Sequence, residues 1–319
     1  MEADLSEYAS SPPSTKSSID EDEVNRRVRP CWNRYRRLLE SKGFHLETFR
    51  DVKSFYECVP DYQMPAAPGH MPIHTRMDED ALCPDPGLPD NLFRGYRTCD
   101  GRRVMVKAVH VDSRELDIIR YLSTPPRRMD PMNHCIPVLD LIEVRDDCLA
   151  FLVMEEWSSQ LVSVTPCCLR LFLAALQQCI EHAVFMHKHR IAHLDISIRN
   201  LLTDYNGHYA YIDFELSRRF NGDPNPRVQG YRGTEIPPEV ERGEPSDPYK
   251  IDVWAMGVLI LRACKLTGFF VPQIMNLVEP MLCEEPDSRP CMEKVLRMFD
   301  IIVRSIDPTQ LQSSCPSQR

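Results

Sequence analysis

The sequence has no apolar run long enough to cross a bilayer. Its most apolar stretch, Trp254 to Leu266, is interrupted by Arg262 and falls short of the ~20 residues a spanning helix needs. A soluble protein with no membrane partner is expected. Basic excess is also missing: 38 Lys and Arg stand against 47 Asp and Glu, a net charge of −9, which excludes broad attraction to a nucleic-acid backbone. Cationic substrates or metal-bound phosphates suit that balance better. Thirteen cysteines are present, yet no paired C-x-x-C closes a tetrahedral zinc site, and Cys167 and Cys168 are adjacent. The opening MEADLSEYASSPPSTKSSIDEDE has neither a basic n-region nor an apolar h-region. The thiols are therefore expected to be reduced, mostly buried hydrophobes of an intracellular protein, cytoplasmic or nuclear.

What is present suffices for a large core: 319 residues, 43% of them apolar, allow two domains or one bilobal unit. Residues 1–27 mix Ser, Pro and the acidic run Asp20 to Glu23 with almost no large apolar side chains, and predict a disordered tail. Residues 28–90 form an N-terminal extension. Within it RPCWNRYRRLLESKGF sets Trp32, Tyr35, Leu38 and Leu39 at helical spacing up to Gly43, predicting a short helix lying on the main domain. Residues 64–92 are dense in proline and predict an extended connector.

Strands are predicted from Asn91 to Thr98 and from Arg103 to Val111, around a turn at Cys99-Asp100-Gly101. A helix capped by Ser113 follows, with Leu116, Ile119 and Leu122 on one face, and then the strands IPVLDLIEV and CLAFLVMEE. After Trp157 the pattern turns helical: Leu169 to His189, the strand–turn–strand NLLTDYNGHYAYIDF, and a helical region from Pro248 to about Ser305. Residues 306–319 predict a second tail. A β-rich lobe over 91–157 followed by an α-rich lobe over 158–305 is an α+β plan with a cleft between its halves.

The sharpest local signal is His193-Leu194-Asp195-Ile196-Ser197-Ile198-Arg199-Asn200, an H-x-D-x-x-x-x-N loop after the long apolar helix, followed by Asp213-Phe214 at the end of the strand AYIDF. Phosphoryl transfer needs a carboxylate beside the attacking hydroxyl, and Asn and Asp oxygens to hold Mg²⁺ against the phosphates. Asp195, Asn200 and Asp213 supply those oxygens. Taken singly, Asp195 could be an Asx turn and Asn200 a turn residue. Asp213 in an apolar strand would be costly to bury without a partner.

From about residue 92 to 303 the chain resembles a eukaryotic protein kinase, and more narrowly the compact protein-kinase-like proteins of basidiomycete fungi. The resemblance lays the H-R-D loop on His193 to Asn200 and the D-F-G motif on Asp213-Phe214-Glu215. VMVK is similar to the V-A-I-K strand, which makes Lys107 the phosphate-contacting lysine and Glu115 its ion-pair partner. Pro237-Pro238-Glu239 resembles A-P-E, Asp252 to Gly257 the D-x-W-x-x-G helix, and Arg289 the arginine that pairs with the A-P-E glutamate. By the same resemblance Met154 to Trp157, including Glu155 and Trp157, form the linker where adenine is held, mainly by backbone. His193, Phe214 and Ile119 would form an apolar stack coupling the lobes, with no role for His193 as a base.

Three departures bear on activity. No G-x-G-x-x-G precedes Lys107; the corresponding stretch is taken as NLFRGYRTCDGRR, where Arg102 or Arg103 could substitute for glycine-loop amides. Glu215 replaces the D-F-G glycine, and Leu194 the H-R-D arginine, which removes the usual reader of an activation-segment phosphate. The resemblance implies an ATP- and Mg²⁺-dependent protein kinase acting on protein hydroxyls, with Asp195, Lys107 and Glu115 catalytic and Lys107, Glu155, Trp157, Asn200 and Asp213 holding the cofactor. Its rivals are a pseudokinase scaffold and a small-molecule phosphotransferase of the aminoglycoside-kinase type.

Overall fold

The structure, a computed structural model, describes residues 24–57, 78–159, 168–269 and 271–312. The expectations for residues 1–23, for 64–77 of the Pro-dense connector and for 313–319 lie outside the described residues. Helix α1 (Trp32–Ser41) turns Tyr35 and Leu39 inward and stops before Gly43, whose φ of +85° is a left-handed conformation that glycine adopts without a Cβ penalty. Then come β1 (Phe44–Leu46), α2 (Phe49–Glu57), β2 (Leu92–Arg97), β3 (Arg103–His110), α3 (Arg114–Ser123), β4 (Val138–Val144) and β5 (Leu149–Glu155). The five strands make one antiparallel sheet in the order β1-β2-β3-β5-β4.

Successive side chains of a strand point to opposite faces, and β3 uses both. Val104, Val106 and Ala108 join Phe93, Phe151 and Val153 under α1, where the Tyr35 and Phe151 rings lie 5.0 Å apart. Val109, with Ala150 and Leu152 of β5, faces α3 and the second lobe. Each large apolar side chain so buried contributes about 1.5–3 kcal/mol. The extension thus supplies both the outer helix and an edge strand of the sheet, so the first lobe does not begin at residue 91. Its strand FHL is three residues long, too short for an alternation to show in the sequence.

The second lobe contains α4 (Leu169–Lys188), β6 (Ile191–Ala192), β7 (Leu201–Thr203), β8 (Tyr209–Tyr211), β9 (Arg218–Arg219), α5 (Pro238–Glu241), α6 (Pro248–Thr267), α7 (Pro272–Met281), α8 (Met292–Ser305) and α9 (Pro308–Leu311). Gly207, at φ +93°, makes the turn between β7 and β8 as the Asn-Gly pair predicts. Asp247 caps α6 by accepting from the amides of Tyr249 and Lys250. The helical run expected from Pro248 to Ser305 is broken, first at Gly268 with φ +73°, then across Leu282–Cys291 with its two prolines. Residues 308–311, expected in a tail, form α9 after the buried Ile306. No helix among the described residues is long and apolar enough to cross a membrane.

One core joins the lobes: Leu116, Ile119 and Leu122 of α3 belong to the same buried cluster as Phe185 of α4 and Phe214. The open side of that junction is a cleft of about 1280 Å³ lined by β2, β3, α3, the residues after β5 and the segment around Asp213.

Candidate active site

Lys107 sits in the middle of the sheet, paired in register with Leu92 on one side and Leu152 on the other, and its side chain enters the cleft. Glu115 lies in the first turn of α3, which the Ser113 hydroxyl caps by accepting from the Leu116 amide at 3.3 Å. Lys107 Nζ is 2.7 Å from Glu115 Oε1 and 3.2 Å from Asp213 Oδ1. Burial alone would disfavour the ammonium, but Glu115 and Asp213 more than offset it and raise the lysine pKa. For Glu115 burial dominates over Lys107 and the carboxyl pKa is raised, whereas Lys107 holds the half-exposed Asp213 below the usual carboxylate range. Asp213 has φ +63°, a left-handed backbone that aspartate tolerates better than most side chains.

The loop from His193 to Asn200 is fixed from beneath. Asp252 of α6, fully buried, accepts from the amides of His193 and Leu194 at 2.8 Å each and meets His187 Nε2 at 2.9 Å. Asn200 Nδ2 donates to the Asp195 carbonyl at 2.9 Å and to its Oδ2 at 2.8 Å. The Thr234 amide donates to Asp195 Oδ1 at 2.7 Å. Both carboxylate oxygens are thereby oriented by donors. Thr234 can approach because Gly233 has no side chain: a Cβ there would lie 2.6 Å from the Leu194 carbonyl oxygen.

With its amide hydrogens spent on Asp195, Asn200 keeps Oδ1 as its remaining acceptor. That oxygen and the Asp213 carboxylate are hard donors of the kind Mg²⁺ takes, and Lys107 adds a phosphate-binding cation, so these residues fit a magnesium nucleotide. His193 is buried, its pKa lowered by desolvation, and its ring centroid lies 5.1 Å from that of Phe214. Its ring packs against Phe214 and Tyr211.

A family model described as the protein kinase domain matches residues 138–271. The chain carries a eukaryotic protein-kinase-like domain. The serine/threonine-protein kinase sck1 of Schizosaccharomyces pombe is 31% identical over 111 residues, 34% of this chain and 15% of that protein. A Dictyostelium discoideum protein described as a probable serine/threonine-protein kinase is 28% identical over 127 residues, 39% of this chain and 24% of its own length. Sperm motility kinase Z of Mus musculus is 34% identical over 88 residues, 27% of this chain and 17% of its own. The chain therefore spans a quarter or less of the length of these relatives. The family match begins at β4, so the strand that carries Lys107 lies outside it.

The kinase-like fold corrects one sequence expectation. Leu92 pairs with Lys107 and Tyr96 with Arg103, so the turn of NLFRGYRTCDGRR lies at the far end of the hairpin from the lysine. The sheet edge beside Lys107 is instead reached through the link from β1 to β2, residues 47–91, and Leu88, Pro89 and Asn91 of that link line the cleft. Pro89 has no N–H to offer a phosphate. Arg102 and Arg103 line the cleft as well, each paired with carboxylates: Arg102 meets Glu155 at 3.2 Å, and Arg103 meets Glu47 at 2.8 Å and Glu156 at 3.0 Å. Arg94 joins Glu156 to Asp85 in the same network.

Glu155 and Trp157 both line the cleft, as placed, and bond to each other, Trp157 Nε1 donating to Glu155 Oε2 at 3.0 Å. The Glu155 amide is committed to the Pro137 carbonyl. Glu215 lines the cleft beside Asp213 and adds to the negative charge around Lys107. Away from the cleft, Arg289 makes a two-pronged bond to Glu239, both distances 2.7 Å and both residues buried. Sequence reasoning missed Asn25, a buried member of the cleft wall, because it falls in a stretch with the composition of a tail.

Proposed function

We propose that the protein is an ATP- and Mg²⁺-dependent protein kinase that transfers the γ-phosphoryl group to a protein hydroxyl, serine or threonine rather than tyrosine. One observation carries this: Lys107 is held by Glu115 from one lobe and Asp213 from the other, and Asn200, whose carbonyl accepts from the amide of Ile212 beside Asp213, orients Asp195. When bound, ATP would supply the phosphoryl group and Mg²⁺ the countercharge to its oxygens. Lys107 would hold the α- and β-phosphates, Asn200 and Asp213 the metal. Asp195 would orient the acceptor hydroxyl and take its proton. The similarity to a serine/threonine-protein kinase of Schizosaccharomyces pombe and a probable one of Dictyostelium discoideum supports a serine or threonine acceptor.

A second reading, a nucleotide- or protein-binding pseudokinase with little turnover, is favoured by the roof of the cleft. Leu88-Pro89 stands there in place of a run of glycine amides. Titrating the purified chain with ATP, with and without Mg²⁺, and following the thermal midpoint separates the two. Ligand at 100 times its dissociation constant stabilises a fold by about 2.7 kcal/mol. The shift should require Mg²⁺ and vanish in Lys107→Ala and in Asp213→Asn. Asp195→Asn should keep it and lose phosphotransfer by about 10²–10⁴-fold. No shift at about millimolar ATP would overturn nucleotide use; a shift in a wild-type protein that phosphorylates nothing would favour the pseudokinase.

A further inference from the structure

Glu115 is 2% exposed, and a buried carboxylate needs donors on both oxygens. Lys107 serves Oε1. Oε2 accepts from Asn25 Nδ2 at 3.0 Å, a side chain 90 residues earlier in the sequence and itself 2% exposed. The other end of the same amide is also used: Asn25 Oδ1 accepts from the His110 amide at 2.9 Å. His110 is the last residue of β3, the strand that carries Lys107. A single side chain therefore ties the end of the lysine strand to the glutamate of α3. Only a group with a donor and an acceptor a few ångströms apart can do this; aspartate in its place would put a second negative charge against Glu115.

The segment bearing Asn25 is anchored independently. The Val28 amide closes the 3-10 turn on the Asn25 carbonyl at 3.0 Å, Val28 is buried in the outer core of the sheet, and Arg29 meets Asp90 at 2.8 Å beside the cleft. No sequence motif marks Asn25.

We propose that Asn25 is a positioning residue for the nucleotide cleft, fixing the Glu115 carboxylate so that Glu115 can hold Lys107. The proposal rests on the nucleotide reading given above, but its structural half can be measured without nucleotide. The full-length chain would be compared with Asn25→Ala and Asn25→Asp by amide hydrogen exchange across α3 and by the ATP concentration needed for half of the Mg²⁺-dependent thermal shift.

In Asn25→Ala, α3 should exchange faster, and half-saturation should need about tenfold more ATP, the effect of one lost bond to a charged group. In Asn25→Asp two carboxyls would meet where the bond now lies, facing Lys107, Asp213 and Glu215 from the rest of the site. Such a pair shares a proton. The defect of Asn25→Asp relative to wild type should therefore be largest at about pH 8 and shrink toward about pH 5.5 as one carboxyl protonates and donates to the other. Asn25→Ala should show no such recovery. A residue that merely supported the fold would give both variants the same pH-independent loss.

Wild-type exchange and half-saturation in both variants would overturn the proposal. Should Asn25→Ala not fold, the pH recovery of Asn25→Asp alone decides it, and a flat profile overturns it. Failure of the nucleotide reading looks different: wild type then shows no shift with ATP, and faster exchange of α3 in the variants would support the clasp while unchanged exchange would overturn it.

Discussion

Two deeply set ion pairs of the molecule, Arg289 with Glu239 and Lys107 with Glu115, use similar chemistry under opposite conditions. Arg289 and Glu239 are 0% and 2% exposed, and the guanidinium also donates to the carbonyls of Cys283 and Lys250 while lying 4.9 Å from the Trp254 ring centroid. Every donor is spent inside the protein, and both partners belong to one lobe. Lys107 is 14% exposed, its second carboxylate Asp213 is 38% exposed, and the three groups come from β3, from α3 and from the other lobe. A sealed pair can only hold structure together. A pair that opens on a cleft, with one more carboxylate than it needs for neutrality, retains capacity for a charged ligand. Burial alone would have ranked the two in the wrong order of functional interest; the direction in which each remains open separates them.

The sharpest way to break the comparison is to remove one cation from each pair. Arg289→Ala should cost about 3–5 kcal/mol of folding stability, because Glu239 would be left charged with no water to replace the guanidinium. A denaturant midpoint that hardly moves would mean that water enters there after all. Lys107→Ala should cost less, about 1–2 kcal/mol. Glu115 keeps its bond from Asn25, its raised pKa lets it take a proton readily, and Asp213 can turn to solvent. Equal losses in the two variants would erase the distinction drawn between them.

The same contrast explains what could be read from the sequence. Asp195, Asn200 and Asp213 were legible because a loop, a strand pair and a carboxylate follow one another at short fixed spacing; in the structure Asp213 lines the cleft, and Asn200 bonds both Asp195 and the amide of Ile212 beside Asp213. Arg289 and Glu239 were placed by resemblance and do meet. The β2–β3 hairpin, the Ser113 cap and the α4 helix follow from local patterning that needs no tertiary knowledge. The edge strand β1 did not, because three residues carry no periodicity and its pairing partner begins only at Leu92. Asn25 was invisible for a related reason: its meaning lies wholly in Glu115 and His110, far along the chain. The roof was misassigned because glycines near Lys107 in sequence, Gly95 and Gly101, sit along and beyond a strand that runs away from it.

The smallest expected effect probes how the open pair is sustained. Ser113 is buried, and its hydroxyl caps the helix whose first turn carries Glu115. Ser113→Ala removes the acceptor for the Leu116 amide and should cost about 1 kcal/mol. A cap at the far end of a rigid helix would lower stability and nothing else. Here the freed amide lies one residue from Glu115, so fraying of that turn should also slacken the grip on Lys107. The variant should therefore show a loss of midpoint stability together with faster amide exchange in the first turn of α3. Stability loss with unchanged exchange there would mean that the donors to its carboxylate, Asn25, Lys107 and the Phe214 amide, hold Glu115 without the cap, and that the helix start follows the ion pair rather than supporting it.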